Sequence, residues 1–102
     1  MTTRVWKIGD RDCPICAEMS GFDRSETHSK GLYYRDLDLS DLEYNPGLRD
    51  YIKDNIVSED NTIDIPIYVV EWRTLFIGWM QGRHTRGEFK KKIIEILAKR
   101  KG

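Results

Sequence analysis

Short apolar runs separated by polar segments predict seven elements in the order β-α-β-α-β-β-α. Val5-Trp6-Lys7-Ile8 is rich in strand formers, and Gly9-Asp10-Arg11-Asp12 closes it with turn chemistry. Pro14 opens a helix through Met19; Ser20-Gly21 ends or weakens it, and Phe22 offers one more apolar position beyond that break. From Asp23 to Gly31 the chain is polar and aperiodic, which predicts a loop. A second strand spans Leu32 to Leu39, aromatic first and alternating apolar and polar at its end. Ser40 and Glu43 have capping-box spacing, but Pro46 would disturb a helix begun there. Asn45-Pro46 is the better start, giving a helix over Pro46–Asn55 with Leu48, Tyr51, Ile52 and Ile56 on one face. Ser58 to Asp64 reads as a polar connector.

The second half alternates differently. Ile65 to Val70 is β-branched and apolar, a buried strand with Pro66 at its entrance. Glu71-Trp72-Arg73-Thr74 forms the turn of a hairpin whose other strand is Leu75 to Met80, ended by Gly82. Thr85 and Glu88 make a capping box for the last helix, whose buried stripe is Phe89, Ile93, Ile96 and Leu97. The first half suits a right-handed βαβ unit and the second a hairpin plus helix, so helices cover both faces of one four-stranded mixed sheet.

Composition narrows the function classes. A chain of 102 residues forms one domain, residues 1–102, with a modest core. Seventeen basic and seventeen acidic residues cancel, which argues against a nucleic-acid footprint and makes Lys90-Lys91-Lys92 the exposed face of the last helix. Met1-Thr2-Thr3-Arg4 leads into only a short apolar run, and no stretch reaches the length of a membrane span. The expected compartment is the cytoplasm, where a lone CxxC is more often catalytic or metal-binding than a structural disulfide.

That CxxC is Cys13-Pro14-Ile15-Cys16. Two thiols one helical turn apart can close a small disulfide ring. Pro14 suits the first turn because its missing N–H would be unpaired there anyway. Cys13 then faces the unpaired N–H groups and the positive end of the helix dipole, which favours its thiolate. Arg11 acts in the same direction and Asp12 against it. Cys16, one turn deeper, is expected to be less exposed and suits a resolving thiol. A structural zinc site needs four ligands, and only His28 and His84 could join the two cysteines, far apart in sequence. No metal site is therefore expected. His28 reads as a solvated loop residue, while His84, beside Gly82, falls near the predicted site. Trp6, Trp72 and Trp79 read as packing residues, Trp72 standing out because it falls in the predicted turn.

The element order, CxxC at the first helix and Ile65-Pro66 entering the third strand resemble the thioredoxin-like superfamily over nearly the whole chain. The stretch Gly82-Arg83-His84-Thr85-Arg86-Gly87-Glu88-Phe89 resembles the glycine and capped last helix of thioredoxins, and the step from Pro66 to Gly82 matches their spacing. The resemblance implies a thioredoxin fold with Pro66 in cis. It also implies dithiol–disulfide exchange, with Cys13 as nucleophile and Cys16 as resolving thiol. Pro14, Ile15, Ile65, Pro66 and Gly82 would form the substrate surface. Two departures stand out. Thioredoxins usually carry a buried acid six residues before the nucleophilic cysteine, and here that position is Lys7, which would favour thiolates if it pointed inward. The Pro-x dipeptide between the cysteines is a glutaredoxin habit, yet Asp64-Ile65-Pro66 and Gln81-Gly82 do not match the glutathione site of glutaredoxins. The chain thus resembles a divergent small thioredoxin with a glutaredoxin-like motif, a type common in bacteriophages. It implies a monomer that needs no cofactor beyond its own Cys13–Cys16 disulfide. Disulfide-bearing client proteins, ribonucleotide reductase among them, are the expected partners, with a thioredoxin reductase or glutathione as electron donor. The alternatives are a glutathione-dependent glutaredoxin and a thioredoxin-fold accessory module with incidental thiols.

Overall fold

The computed structural model describes residues 3–56 and 63–100. Four strands form one mixed sheet: β1 (Thr3–Gly9), β2 (Tyr33–Asp38), β3 (Ile67–Trp72) and β4 (Leu75–Gln81), in the order β2-β1-β3-β4. β1 runs parallel to β2 and antiparallel to β3, and β3 runs antiparallel to β4. The parallel pair is joined by α1 (Pro14–Met19) and α2 (Asp23–Ser29); α3 (Pro46–Asn55) links β2 to β3, and α4 (Arg86–Leu97) closes the chain. This is an α/β thioredoxin fold. Among the described residues no helix is long and apolar enough to cross a membrane.

Alternation along the two central strands divides the interior. Val5, Tyr68 and Val70 face one side, where Met19, Phe89, Ile93 and Ile96 meet them. Ile8, Ile67 and Val69 face the other, covered by Leu48, Ile52 and Ile56. Helices thus cover both faces, as the apolar spacing predicts. Gly78 lets α4 lie close on the sheet, since a Cβ there would stand 2.6 Å from Ile96.

The structure departs from the sequence expectation in three places. The stretch from Asp23, expected to be a loop, is helical over Asp23–Ser29. Its inward positions Asp23, Glu26 and Thr27 keep helical spacing but are polar, so hydrophobic periodicity gives no sign of them. His28 accordingly sits on a helix, still exposed. The hairpin turn is shorter than expected. Glu71 and Trp72 remain in β3, paired with Phe76 and Leu75, leaving a two-residue turn of Arg73 and Thr74. Both have positive φ, 52° and 68°, the backbone of a type I′ turn that matches strand twist. Trp72 is half-buried at the end of the strand, under the Arg73 guanidinium at 4.8 Å. Thirdly, Ile65 and Pro66 precede β3: proline has no N–H for the ladder, which begins at Ile67.

Other boundaries moved by a residue or two, as fraying ends do. β1 reaches out to Thr3 and Gly9, and β2 loses Leu32 and Leu39. Leu39–Tyr44 forms a 3-10 turn that the Asp38 carboxylate caps at the Ser40 N–H. Pro46–Asn55 falls where the Asn45-Pro46 signal puts it, and Thr85 and Glu88 form the reciprocal capping box. Most of the Ser58–Asp64 connector lies outside the described residues.

Candidate active site

Cys13 is the N-cap of α1 and Pro14 its first helical residue. Cys13 Sγ accepts a hydrogen bond from the backbone N–H of Cys16 at 3.0 Å. Cys13 and Cys16 form a disulfide, their Cα atoms 5.2 Å apart. Cys16 is no deeper than Cys13, for both are buried, at 7% and 8% exposure. The segment before β3 lies against Cys13, the Ile65 carbonyl standing 3.9 Å from its Sγ, so Cys13 does not stand proud of the surface.

That segment brings the remaining predicted substrate residues to the same place. Cys13, Pro14, Ile15, Ile65 and Gly82 line one shallow groove with Ile63, Asp64 and Arg83. The Ile65 carbonyl oxygen lies 3.9 Å from Cys13 Sγ. The Ile65–Pro66 peptide bond is cis. Pro66 itself is buried behind the groove, and its carbonyl accepts a hydrogen bond from the Gly82 N–H at 2.9 Å. Gly82 holds a positive φ of 78°, which its lack of a Cβ permits. Beyond it, Arg83 reaches α1 and pairs with Glu18 at 2.9 Å, while His84 Nδ1 folds back to the Gly82 carbonyl at 3.1 Å.

A second cleft opens on the other side of the disulfide, lined by Cys13 and Cys16 together with Lys7, Arg11, Asp36 and Asp38. Arg11 therefore stands beside the cysteines, whereas Asp12 is turned to solvent and its backbone N–H bonds to Asp10. Lys7 points inward and is 3% exposed. Its Nζ donates to the Cys16 carbonyl at 2.8 Å and pairs with Asp23 Oδ2 at 2.6 Å. The Tyr68 hydroxyl donates to the same carboxylate oxygen at 2.7 Å. Burial, reinforced by the Asp23 charge, raises the Tyr68 phenol far above its ordinary range, and Tyr34 in the same way.

Asp23 and Tyr68, which connect to Cys16 only through Lys7, were not legible in the sequence as neighbours of the site. One lay in the presumed loop and the other in an apolar strand. The usable signal was Lys7 itself: a lysine at an inward strand position demands a buried counter-charge. Gly9 was also missed as a site residue, being read only as a turn former. A Cβ at Gly9 would stand 2.9 Å from Cys16 Sγ, so glycine is what admits that sulfur.

A four-stranded mixed sheet, helices on both faces and a CxxC pair heading α1 together define a thioredoxin-fold protein. Solved structures of that fold superpose on nearly the whole chain. Thioredoxin 1 from Thermosipho africanus matches with a TM-score of 0.67 at 10% identity, over 93% of this chain and 94% of that one. A thioredoxin from Thermus thermophilus gives 0.63 at 17% identity, covering 96% and 75%. Thioredoxin-2 of the malaria parasite gives 0.63 at 14%, covering 92% and 82%. No protein-family model matches the sequence, and no curated protein matches it. These neighbours, at 10–17% identity, show that the chain has the thioredoxin fold.

Proposed function

We propose that the protein is a thiol–disulfide oxidoreductase that reduces protein disulfides through Cys13 and Cys16. The observation that carries this reading is the placement of Cys13 Sγ: it receives the Cys16 N–H at the helix start and lies 3.9 Å from the Ile65 carbonyl at the groove. The first feature favours a thiolate in the reduced protein. The second offers backbone to an extended client segment lying beside that sulfur, with Pro14, Ile15 and Gly82 as its walls.

In the reduced protein the Cys13 thiolate attacks one sulfur of the client disulfide. A Cys13–client bond forms, the client S–S bond breaks, and the second client sulfur leaves as thiolate. Cys16, deprotonated, then attacks Cys13 Sγ. The mixed disulfide breaks, the client's first sulfur leaves, and the Cys13–Cys16 disulfide seen here results. Two electrons have passed from the dithiol to the client. An external dithiol, supplied by a thioredoxin reductase, or two glutathione molecules must return them. Ribonucleotide reductase is a suitable client because such enzymes need repeated dithiol reduction, and a reducing cytoplasm is the compartment in which this cycle runs.

Turnover with a disulfide-bonded reporter protein and dithiothreitol as donor tests the reading. Wild-type protein is expected to accelerate reduction over dithiothreitol alone, and Cys13→Ser to abolish the acceleration. Pre-reduced Cys16→Ser, mixed with the client after the donor is removed, is expected to trap a mixed disulfide. A wild-type rate no faster than the donor alone would overturn the proposal and favour an accessory module with incidental thiols.

A further inference from the structure

The buried cation at the centre of the molecule has no part in the exchange steps above, yet it touches the residue that carries the second thiol. Lys7 fronts the cleft it shares with Cys16, whereas Asp23 does not line that cleft. The lysine therefore separates the carboxylate from the cysteine, donating to the Cys16 carbonyl at 2.8 Å and to Asp23 at 2.6 Å. The pair acts as a fixed dipole with its positive end at Cys16. The sheet register holds it there, because Lys7 lies opposite Tyr68 on β3 and Asp36 on β2.

We infer that Lys7 is a positioning residue for the Cys16 thiol: its buried ammonium favours the Cys16 thiolate and thereby the reduced dithiol, making the disulfide a stronger oxidant. This inference deepens the proposed redox reading and rests on it. The competing charges do not reverse the sign. Tyr68 and Tyr34 face Asp23 as neutral phenols. Asp10, Arg11 and Asp36 on the cleft wall are exposed, and Asp38 is half-buried. Solvent screens those groups, while Lys7 at 3% exposure acts through protein interior. A reduced form stabilised in this way raises the potential of a dithiol pair.

The test is the double replacement Lys7→Met with Asp23→Asn, which removes both buried charges together and leaves neither unpaired. Protein disulfide plus two glutathione gives protein dithiol plus glutathione disulfide, and the position of that equilibrium reads the potential. At a pH above the Cys16 titration of both proteins, the double variant is expected to shift it about tenfold towards the protein disulfide, about 30 mV for the two-electron couple. Its Cys16 thiol, followed by thiolate absorbance in a Cys13→Ser background, should titrate about one pH unit or more above wild type. Lys7→Arg, keeping the charge, should stay near wild type. A folded double variant with unchanged equilibrium and Cys16 titration would overturn the inference. If the double variant does not fold, the wild-type protein decides. Coupling between two titrating sites is mutual, so the Lys7 side-chain NMR signal must follow the Cys16 titration in the reduced protein and not in the oxidised one. A Lys7 signal unmoved across that titration overturns the inference equally. Failure of client turnover with these shifts present would instead sink the proposed function alone.

Discussion

A single hydrogen atom at Gly9 decides how closely β1 can pass the disulfide. A methyl group there would meet Cys16 Sγ at 2.9 Å, closer than packed carbon and sulfur tolerate. The sulfur cannot swing away while it is bonded to Cys13, but a free thiol can rotate about its Cα–Cβ bond. Gly9→Ala is therefore expected to destabilise the oxidised protein by about 1–3 kcal/mol, as overpacking does, and the reduced protein by less. Urea midpoints of the two redox forms measure this directly. Equal losses in both forms would show that the contact is relieved by backbone movement instead. The same scale shows what a sequence discloses at a site. Cys13, Pro14 and Cys16 were legible because each has local chemistry tied to a helix start. Gly9 and Asp23 were not, because what defines them is a neighbour distant in the chain.

At the scale of elements, the helices that carry apolar stripes were legible nearly to the residue, α3 and α4 above all. α2 was not. It buries Asp23, Glu26 and Thr27 and gives each a specific partner: Lys7 and Tyr68 for Asp23 Oδ2, Arg86 and Lys30 for Glu26, and the Asp23 carbonyl for Thr27, while among the described residues Asp23 Oδ1 accepts no hydrogen bond. A polar face paired in this way has helical period without hydrophobic period. The β3–β4 turn shows the converse, an element whose existence was legible but whose length was not. Arg73-Thr74 lacks the Asn or Gly that usually marks a two-residue type I′ turn. Thr74, β-branched at φ 68°, bears the cost, since a left-handed conformation is worth roughly 1–2 kcal/mol against an L-residue with a Cβ. Thr74→Gly removes that strain, offset in part by the greater freedom of glycine in the unfolded chain. The expected gain is about 1 kcal/mol, seen as a higher urea midpoint with unchanged slope. A lower midpoint would mean that threonine contributes more here than its backbone costs.

For the whole molecule, the paired charges and buried phenols set the pH range over which the fold is stable. On the acid side Glu26 is held below the usual carboxylate range by Arg86 first and Lys30 second, Glu88 by the Thr85 backbone N–H of its capping box, and Asp38 by Ser40. A carboxyl whose folded pKa is depressed stabilises fully above its unfolded value. That contribution is lost as pH falls through about 4 towards the lower folded value. On the alkaline side the order reverses. Tyr68 and Tyr34 have folded pKa values raised by burial and by Asp23, so their contribution is complete below about pH 10 and is lost as pH rises above it. Stability of the oxidised protein, in which neither cysteine titrates, should therefore form a plateau bounded by these two limbs. Tyr68→Phe keeps the ring packed against Phe89 while removing the ionisable hydroxyl, so it should lower the plateau and flatten the alkaline limb without altering the acid one. Glu26→Gln should do the converse, weakening the acid limb alone. Urea midpoints measured from pH 3 to pH 11 on the three proteins separate these effects. An alkaline limb of unchanged steepness in Tyr68→Phe would place the responsible titration elsewhere, with Tyr34→Phe as the next variant to examine, because its phenol faces the same buried carboxylate from β2.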